Sequence, residues 1–166
     1  MSAEPLADQS SAVLVVGGGD VADALESYAQ ILGWTVVVVD NLEDTVAALP
    51  GADSVVVLSH HDGVDGPAIA AALDAGAAYI GAMGARKTQA RRRAWMIENG
   101  VPEERLASVR TPVGLDIGAN TPAEIALSIV AEVLAVRRGF TGGALRDRSG
   151  PIHPDLPPGT AECPAG

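Results

Sequence analysis

The apolar positions of this chain fall into two kinds of run. Ala12 to Val16, Trp34 to Val39, Ser54 to Leu58 and Ala77 to Ile80 are short and continuous, with no regular polar alternation. That is the pattern of strands covered on both faces. Between them lie stretches with helical spacing. Asp20 to Leu32 sets Val21, Leu25, Tyr28 and Leu32 on one face and stops at Gly33. Leu42 to Leu49 is a short helix followed by a Pro50-Gly51-Ala52-Asp53 turn, and Asp65 to Gly76 turns Ile69, Ala72 and Leu73 inward. A further helix ends at Asn99-Gly100, a short one covers Pro102 to Leu106, and Ala107 to Arg110 is a candidate fifth strand. Strands alternating with helices predict an α/β fold, a single doubly wound domain on a mostly parallel sheet of five or six strands.

The last helix has the plainest start. Thr121-Pro122-Ala123-Glu124 combines a threonine cap, proline at the first helical position and glutamate three residues after the cap, so a helix should run from here to Arg138. Glu124, Ser128 and Glu132 make one polar stripe, and apolar residues occupy the rest of the circumference. A helix this apolar is expected to be covered on two sides, by the sheet and by a second subunit, which predicts a homodimer. Residues 1–11 are expected to be flexible, 12–139 to form the domain, and 140–166 to be a tail rich in glycine and proline.

The first strand runs into Gly17-Gly18-Gly19-Asp20-Val21-Ala22. Gly17, Gly19 and Ala22 satisfy G-x-G-x-x-(G/A), in which the first glycine permits a tight turn, the second admits a pyrophosphate, and the small third residue packs helix on strand. This Rossmann-like turn predicts a phosphate site at a helix N-terminus. Asp40, at the end of the second strand, is placed to accept hydrogen bonds from two ribose hydroxyls and to repel a 2′-phosphate, so a dinucleotide bound here should be NAD-like. Asp20 can cap the helix, but its charge would repel the same ligand unless it turns outward or meets a metal ion.

Other candidates lie at the carboxyl ends of strands, where open α/β sheets bind ligands. The third strand delivers Ser59-His60-His61-Asp62; adjacent histidines in an extended segment point opposite ways, so His60 is read as a ligand contact or loop cap and no metal is assigned. The fourth runs into Gly81-Ala82-Met83-Gly84-Ala85-Arg86-Lys87-Thr88, with Arg91, Arg92 and Arg93 on the same helix. Arg91 to Arg93 fit a solvated face paired with acidic neighbours. Arg86 and Lys87 occupy the first turn, where a cation opposes the helix dipole, so they are read as anion contacts. Asp116, in the loop from Thr111 to Asn120, is an acceptor, base or metal-facing group, or a residue of a purely structural turn. The proposed crevice thus joins Gly17, Gly18, Gly19, Asp20, Val21, Asp40, Ser59, His60, Gly81, Gly84, Arg86, Lys87 and Asp116, with no catalytic residue assigned.

Composition narrows the partners. Nearly half of the 166 residues are hydrophobic but only 3% are aromatic, which suits an aliphatic parallel-sheet core. A net charge of −10 opposes binding to nucleic acid or anionic lipid. The single cysteine, Cys163, excludes a disulfide framework, no apolar run reaches membrane length, and a cytoplasmic location is expected. Two rival functions remain open: an NAD-dependent oxidoreductase, which would need His60 or Asp116 as proton donor because no Tyr-x-x-x-Lys pair is present, and an NAD-sensing interaction module.

At Tyr79-Ile80-Gly81-Ala82-Met83-Gly84-Ala85-Arg86-Lys87-Thr88, then Pro112-Val113-Gly114-Leu115-Asp116-Ile117-Gly118-Ala119 and Thr121-Pro122-Ala123-Glu124-Ile125-Ala126, the chain closely resembles the XdhC/CoxI family over roughly Val13 to Arg138. The resemblance implies an accessory protein, without turnover, for a molybdenum hydroxylase of the xanthine or carbon monoxide dehydrogenase type. Such a protein binds molybdenum cofactor, a pterin sometimes in dinucleotide form, protects it during sulfuration and hands it to the apo-enzyme. Fuller members carry an N-terminal domain with a cysteine near its start, so any step needing it is expected to be supplied by a separate polypeptide or to be absent. Where similar sequences often read Gly-Ala-Gly-His, this chain reads Gly-Gly-Gly-Asp.

Overall fold

Four of the apolar runs pair as strands, and every pairing is parallel. In this computed structural model, which describes residues 11–152, the chain runs β1 (Ala12–Val16), α1 (Asp20–Ile31), β2 (Thr35–Val39), α2 (Leu42–Ala48), β3 (Ser54–Val57), α3 (Asp62–Asp74), β4 (Tyr79–Ala82), α4 (Arg86–Glu98), α5 (Glu103–Leu106) and α6 (Pro122–Arg137). Short 3-10 turns cover Leu49–Gly51 and Leu145–Asp147. The sheet order is β2-β1-β3-β4. The chain steps outward from β1 to β2, then crosses back to place β3 on the other side of β1, so the order reverses between β1 and β3.

Because successive side chains leave a strand on opposite faces, the continuous apolar runs feed two cores. Leu14, Val16, Val55, Val57, Ile80 and Ala82 meet Ala68 and Ile69 of α3 and Met96 of α4. Val13, Val15, Val56, Leu58 and Tyr79 meet Ala22 and Leu25 of α1 and Ile129 and Val133 of α6. The result is a three-layer sandwich whose central strands β1 and β3 are buried on both faces.

The expected sheet of five or six strands is corrected to four among the described residues. At Ala107 to Arg110 a single bridge forms, with Arg110 opposite Gly81. The Ser108 and Val109 amides close the end of α5 on the carbonyls of Arg105 and Leu106, and Arg110 alone exchanges bonds with Ile80 and Ala82. Pro112, two residues on, has no N–H to continue a ladder. The peptide bond before it is cis.

The expected start of α3 at Asp65 also moves, because the helix opens at Asp62 and carries Pro67 inside it. The α6 cap is as expected: the Thr121 hydroxyl accepts from the Glu124 amide and the Glu124 carboxylate accepts from the Thr121 amide. The expected flexible segment 1–11 lies outside the described residues except for Ser11, and Cys163 and Pro157-Pro158-Gly159 of the expected tail lie outside them as well.

Candidate functional site

The turn after β1 sits where the strand order reverses, the position at which open α/β sheets receive ligands. Its backbone is tied from both sides. The Gly17 amide donates to the Val39 carbonyl at 2.7 Å, and the Leu58 and Ser59 amides both donate to the Val16 carbonyl at 2.8 and 2.9 Å. Gly17 is buried at φ +107°, and a Cβ placed on it would lie 2.5 Å from the Ser59 nitrogen. Only glycine lets the β1 and β3 turns approach so closely. Gly18 and Gly19 are exposed, and a Cβ on either would enter open space.

Gly19, at φ +114°, is the N-cap of α1, and no side chain among the described residues bonds to that helix end. This corrects the expectation that Asp20 caps the helix. Asp20 is the first helical residue, exposed, with Asp23 beside it in the same turn. The first amides of α1 thus carry the dipole's positive end without a side-chain cap, partly offset by two carboxylates. Val21 is half-buried behind them.

Three other predicted residues converge on this turn. Asp40 follows Val39, the partner of Gly17; it is exposed, and one carboxylate oxygen accepts from the Asn41 amide group at 3.1 Å. Ser59 is buried against Gly17, and its hydroxyl accepts from the His61 amide at 3.1 Å. His60 is exposed between Ser59 and the α3 cap residue His61. Among the described residues, no group of three or more histidine, cysteine, aspartate or glutamate side chains could hold a metal ion.

The remaining predicted residues stand elsewhere. Gly81 is buried within β4, where a Cβ would lie 2.4 Å from Val113 and 2.7 Å from the Tyr79 hydroxyl. Its smallness lets the 111–114 loop close on the sheet. Gly84 turns at φ +150°, and its carbonyl accepts from Gln89 at 2.7 Å. Arg86 and Lys87 are exposed at the start of α4, with no ion pair or hydrogen bond among the described residues. Arg86 borders a cavity between α4 and α5 to which no residue of the glycine turn contributes. Asp116 is exposed in its loop.

Arg91 and Arg93 are paired with acidic neighbours, Asp62 at 2.6 Å and Glu103 respectively. Arg92 is different. It is buried, reaches the equally buried Asp65 at 2.8 Å, and donates to the Met83 carbonyl at 3.1 Å. This pair bolts the β4–α4 turn to α3.

A second buried group was legible only as a polar stripe. Glu132 of α6 accepts from the Tyr79 hydroxyl at 2.6 Å and from the Gly114 amide at 2.9 Å, with Arg110 at 3.5 Å. Burial, then the neighbouring Glu132 carboxylate, pushes the Tyr79 phenol far above its ordinary range. Ser128, one turn earlier, offers its carbonyl to the Leu115 amide at 3.2 Å, and Glu124 accepts from Asn120 at 2.9 Å. The stripe therefore faces the 111–120 loop and fixes it. Backbone bonds from Thr121 and Asn120 hold the Glu124 carboxyl below its usual range.

No helix among the described residues is long and apolar enough to cross a membrane. Comparison with known proteins finds the molybdenum cofactor insertion chaperone PaoD of Escherichia coli K12, 31% identical over 126 residues, covering 75% of this chain and 40% of PaoD. The uncharacterized protein YqeB of the same organism is 28% identical over 163 residues, 86% of this chain and 30% of YqeB. The chain thus spans well under half the length of either relative. A crystal structure described as a xanthine dehydrogenase from Bacillus halodurans shares the fold, with a TM-score of 0.62 and 23% identity over 80% of this chain and 44% of that one. The model of the XdhC Rossmann domain matches residues 13–133. The chain belongs to the XdhC Rossmann domain family.

Proposed function

We propose that this chain is a cytoplasmic accessory protein that carries molybdenum cofactor to a molybdenum hydroxylase of the xanthine or carbon monoxide dehydrogenase type, holding the cargo at the glycine turn without turning it over. The observation that carries the reading is the turn itself. Gly18 and Gly19 are open to solvent at the reversal of strand order, the α1 amides behind them are uncapped by any side chain, and Asp40 is anchored one residue from the Gly17 partner. Amides at a helix start suit a phosphate, and a carboxylate at Asp40 suits a ribose diol. Together they favour the dinucleotide form of the cofactor over the simple pterin. The likeness to a protein named as a molybdenum cofactor insertion chaperone supports the same class of cargo.

A carboxylate at Asp40 would equally suit the ribose of NAD, which gives a second reading as an NAD-binding module. Calorimetric titration of the purified chain with the pterin cofactor, its dinucleotide form, NAD and NADP separates them. The first reading expects saturable binding of the dinucleotide cofactor and no hydride transfer; tight NAD binding with none of the cofactor establishes the second. Recipient enzyme, pairing with a separate N-terminal-domain protein, and homodimer formation belong to the same proposal.

A further inference from the structure

A cavity of about 520 Å³ opens beside the solitary Gly81–Arg110 bridge, between β4 and helices α3, α4 and α5. No fifth strand forms beside β4 among the described residues: Arg110 bridges Gly81, the Val113 amide bonds the Ala82 carbonyl, and the cavity lies on this side of the sheet. Ile69, Met96, Leu106 and Val109 give it apolar walls. Its volume lies within the range of roughly 300–1,000 Å³ typical of small-molecule sites.

The charges on its border are unequal. Arg93 is matched by Glu103, and Arg92 by Asp65. Arg86 has no partner among the described residues, although the chain as a whole carries a net charge of −10. It sits in the first turn of α4, which has no acidic residue and no side-chain cap, so its charge adds to the dipole's positive end rather than offsetting it. Within the same lining, the Arg92 Nε is buried with no hydrogen-bond partner among the described residues. A cation held at a cost in the mouth of an apolar hollow is the arrangement that an anionic ligand would relieve.

We propose that this cavity is a second ligand site, for a small organic anion with an apolar body and a single phosphate or carboxylate group, the body against Met96 and Leu106 and the anion on Arg86. One unmatched guanidinium suits one anionic group, and Ile69, Met96, Leu106 and Val109 suit an apolar body. The site is separate from the glycine turn, so each stands or falls without the other.

The test is a methyl NMR titration of the full chain with phenyl phosphate, with inorganic phosphate in parallel. Saturable shifts are expected at the Ile69, Met96 and Ala90 methyls, with inorganic phosphate binding at least tenfold more weakly. Arg86→Gln should weaken phenyl phosphate binding at least tenfold, and Ala90→Phe, which fills the hollow from an exposed helix position, should abolish it; a thermal melt checks that both variants remain folded. No saturable shift at these methyls, equal affinity in Arg86→Gln and the parent, equal affinity for inorganic phosphate, or shifts centred on the Gly18 and Gly19 amides would each overturn the proposal.

Discussion

The Tyr79 hydroxyl donates to the Glu132 carboxylate at 2.6 Å, joining β4 to α6 beneath the loop that contains Gly114. The bond requires a neutral phenol. Its folded-state pKa is raised, by burial first and by Glu132 second, so the stability it contributes is fully present below the unfolded phenol pKa near 10 and declines as pH rises above that value. Urea denaturation across pH 8–11 should show a loss of stability above about pH 10 that is shallower in Tyr79→Phe. At neutral pH, Tyr79→Phe should cost about 1.5–3 kcal/mol, the range for a hydrogen bond to a charged acceptor.

Asp65 and Arg92 are each more than nine-tenths buried, so removing one strands the other. Asp65→Ala should destabilise by about 3–5 kcal/mol, whereas Asp65→Ala combined with Arg92→Met should recover most of that loss. Chemical denaturation of the single and double variants measures it. A double variant as unstable as the single would mean that the Arg92 bond to Met83, not the charge pair, dominates.

The three glycines of the first turn should separate by mechanism. Gly17→Ala forces a Cβ to within 2.5 Å of Ser59 at a positive φ and should cost about 2 kcal/mol or more in stability. Gly18→Ala meets open space and should change stability by less than about 1 kcal/mol. The same methyl group would stand in the approach of a bound phosphate. Thermal melts of both variants check the structural half of this contrast.

Asp20 and Asp40 should act in opposite directions on a phosphate-bearing dinucleotide. Asp20→Asn removes a like charge from the opening of α1 and should tighten binding roughly two- to fivefold at low salt, as expected for 0.3–1 kcal/mol at a helix terminus. Asp40→Ala removes the proposed ribose acceptor and should weaken binding by about 1.5–3 kcal/mol. It should leave the affinity of the pterin form, which has no such ribose, unchanged. Calorimetry with both forms reads all of these.

Much of this was legible in the chain because period and composition act locally. Continuous valine-rich runs declared β1, β2 and β3, although β2 proves to be an edge strand with Val37 and Val38 exposed rather than covered on both faces, and Thr121 with Glu124 declared the start of α6. The glycine turn could be placed on the strand-to-helix junction from residues 12 to 22 alone. What escaped were effects that depend on which distant groups meet. Ala107 to Arg110 has strand-like residues, yet the Ser108 and Val109 amides are taken by carbonyls at the end of α5, and Pro112 has no N–H to continue a ladder. Arg91, Arg92 and Arg93 look alike in sequence, but only Arg92 faces Asp65 across a helix interface. Glu132 belonged to a visible polar stripe, and nothing local said that a loop rather than solvent or a second subunit would cover it. Gly81, Arg86 and Lys87 belong to one motif, yet the fold gives Gly81 to packing and leaves Arg86 on a different cavity from the glycine turn.

The most direct measurement is the affinity of the purified chain for the dinucleotide form of molybdenum cofactor, by calorimetry, in the parent and in Gly18→Ala. The account predicts saturable one-to-one binding by the parent and at least tenfold weaker binding by a variant whose thermal midpoint is unchanged. Equal affinity in the two proteins, or no saturable binding by the parent, would contradict it.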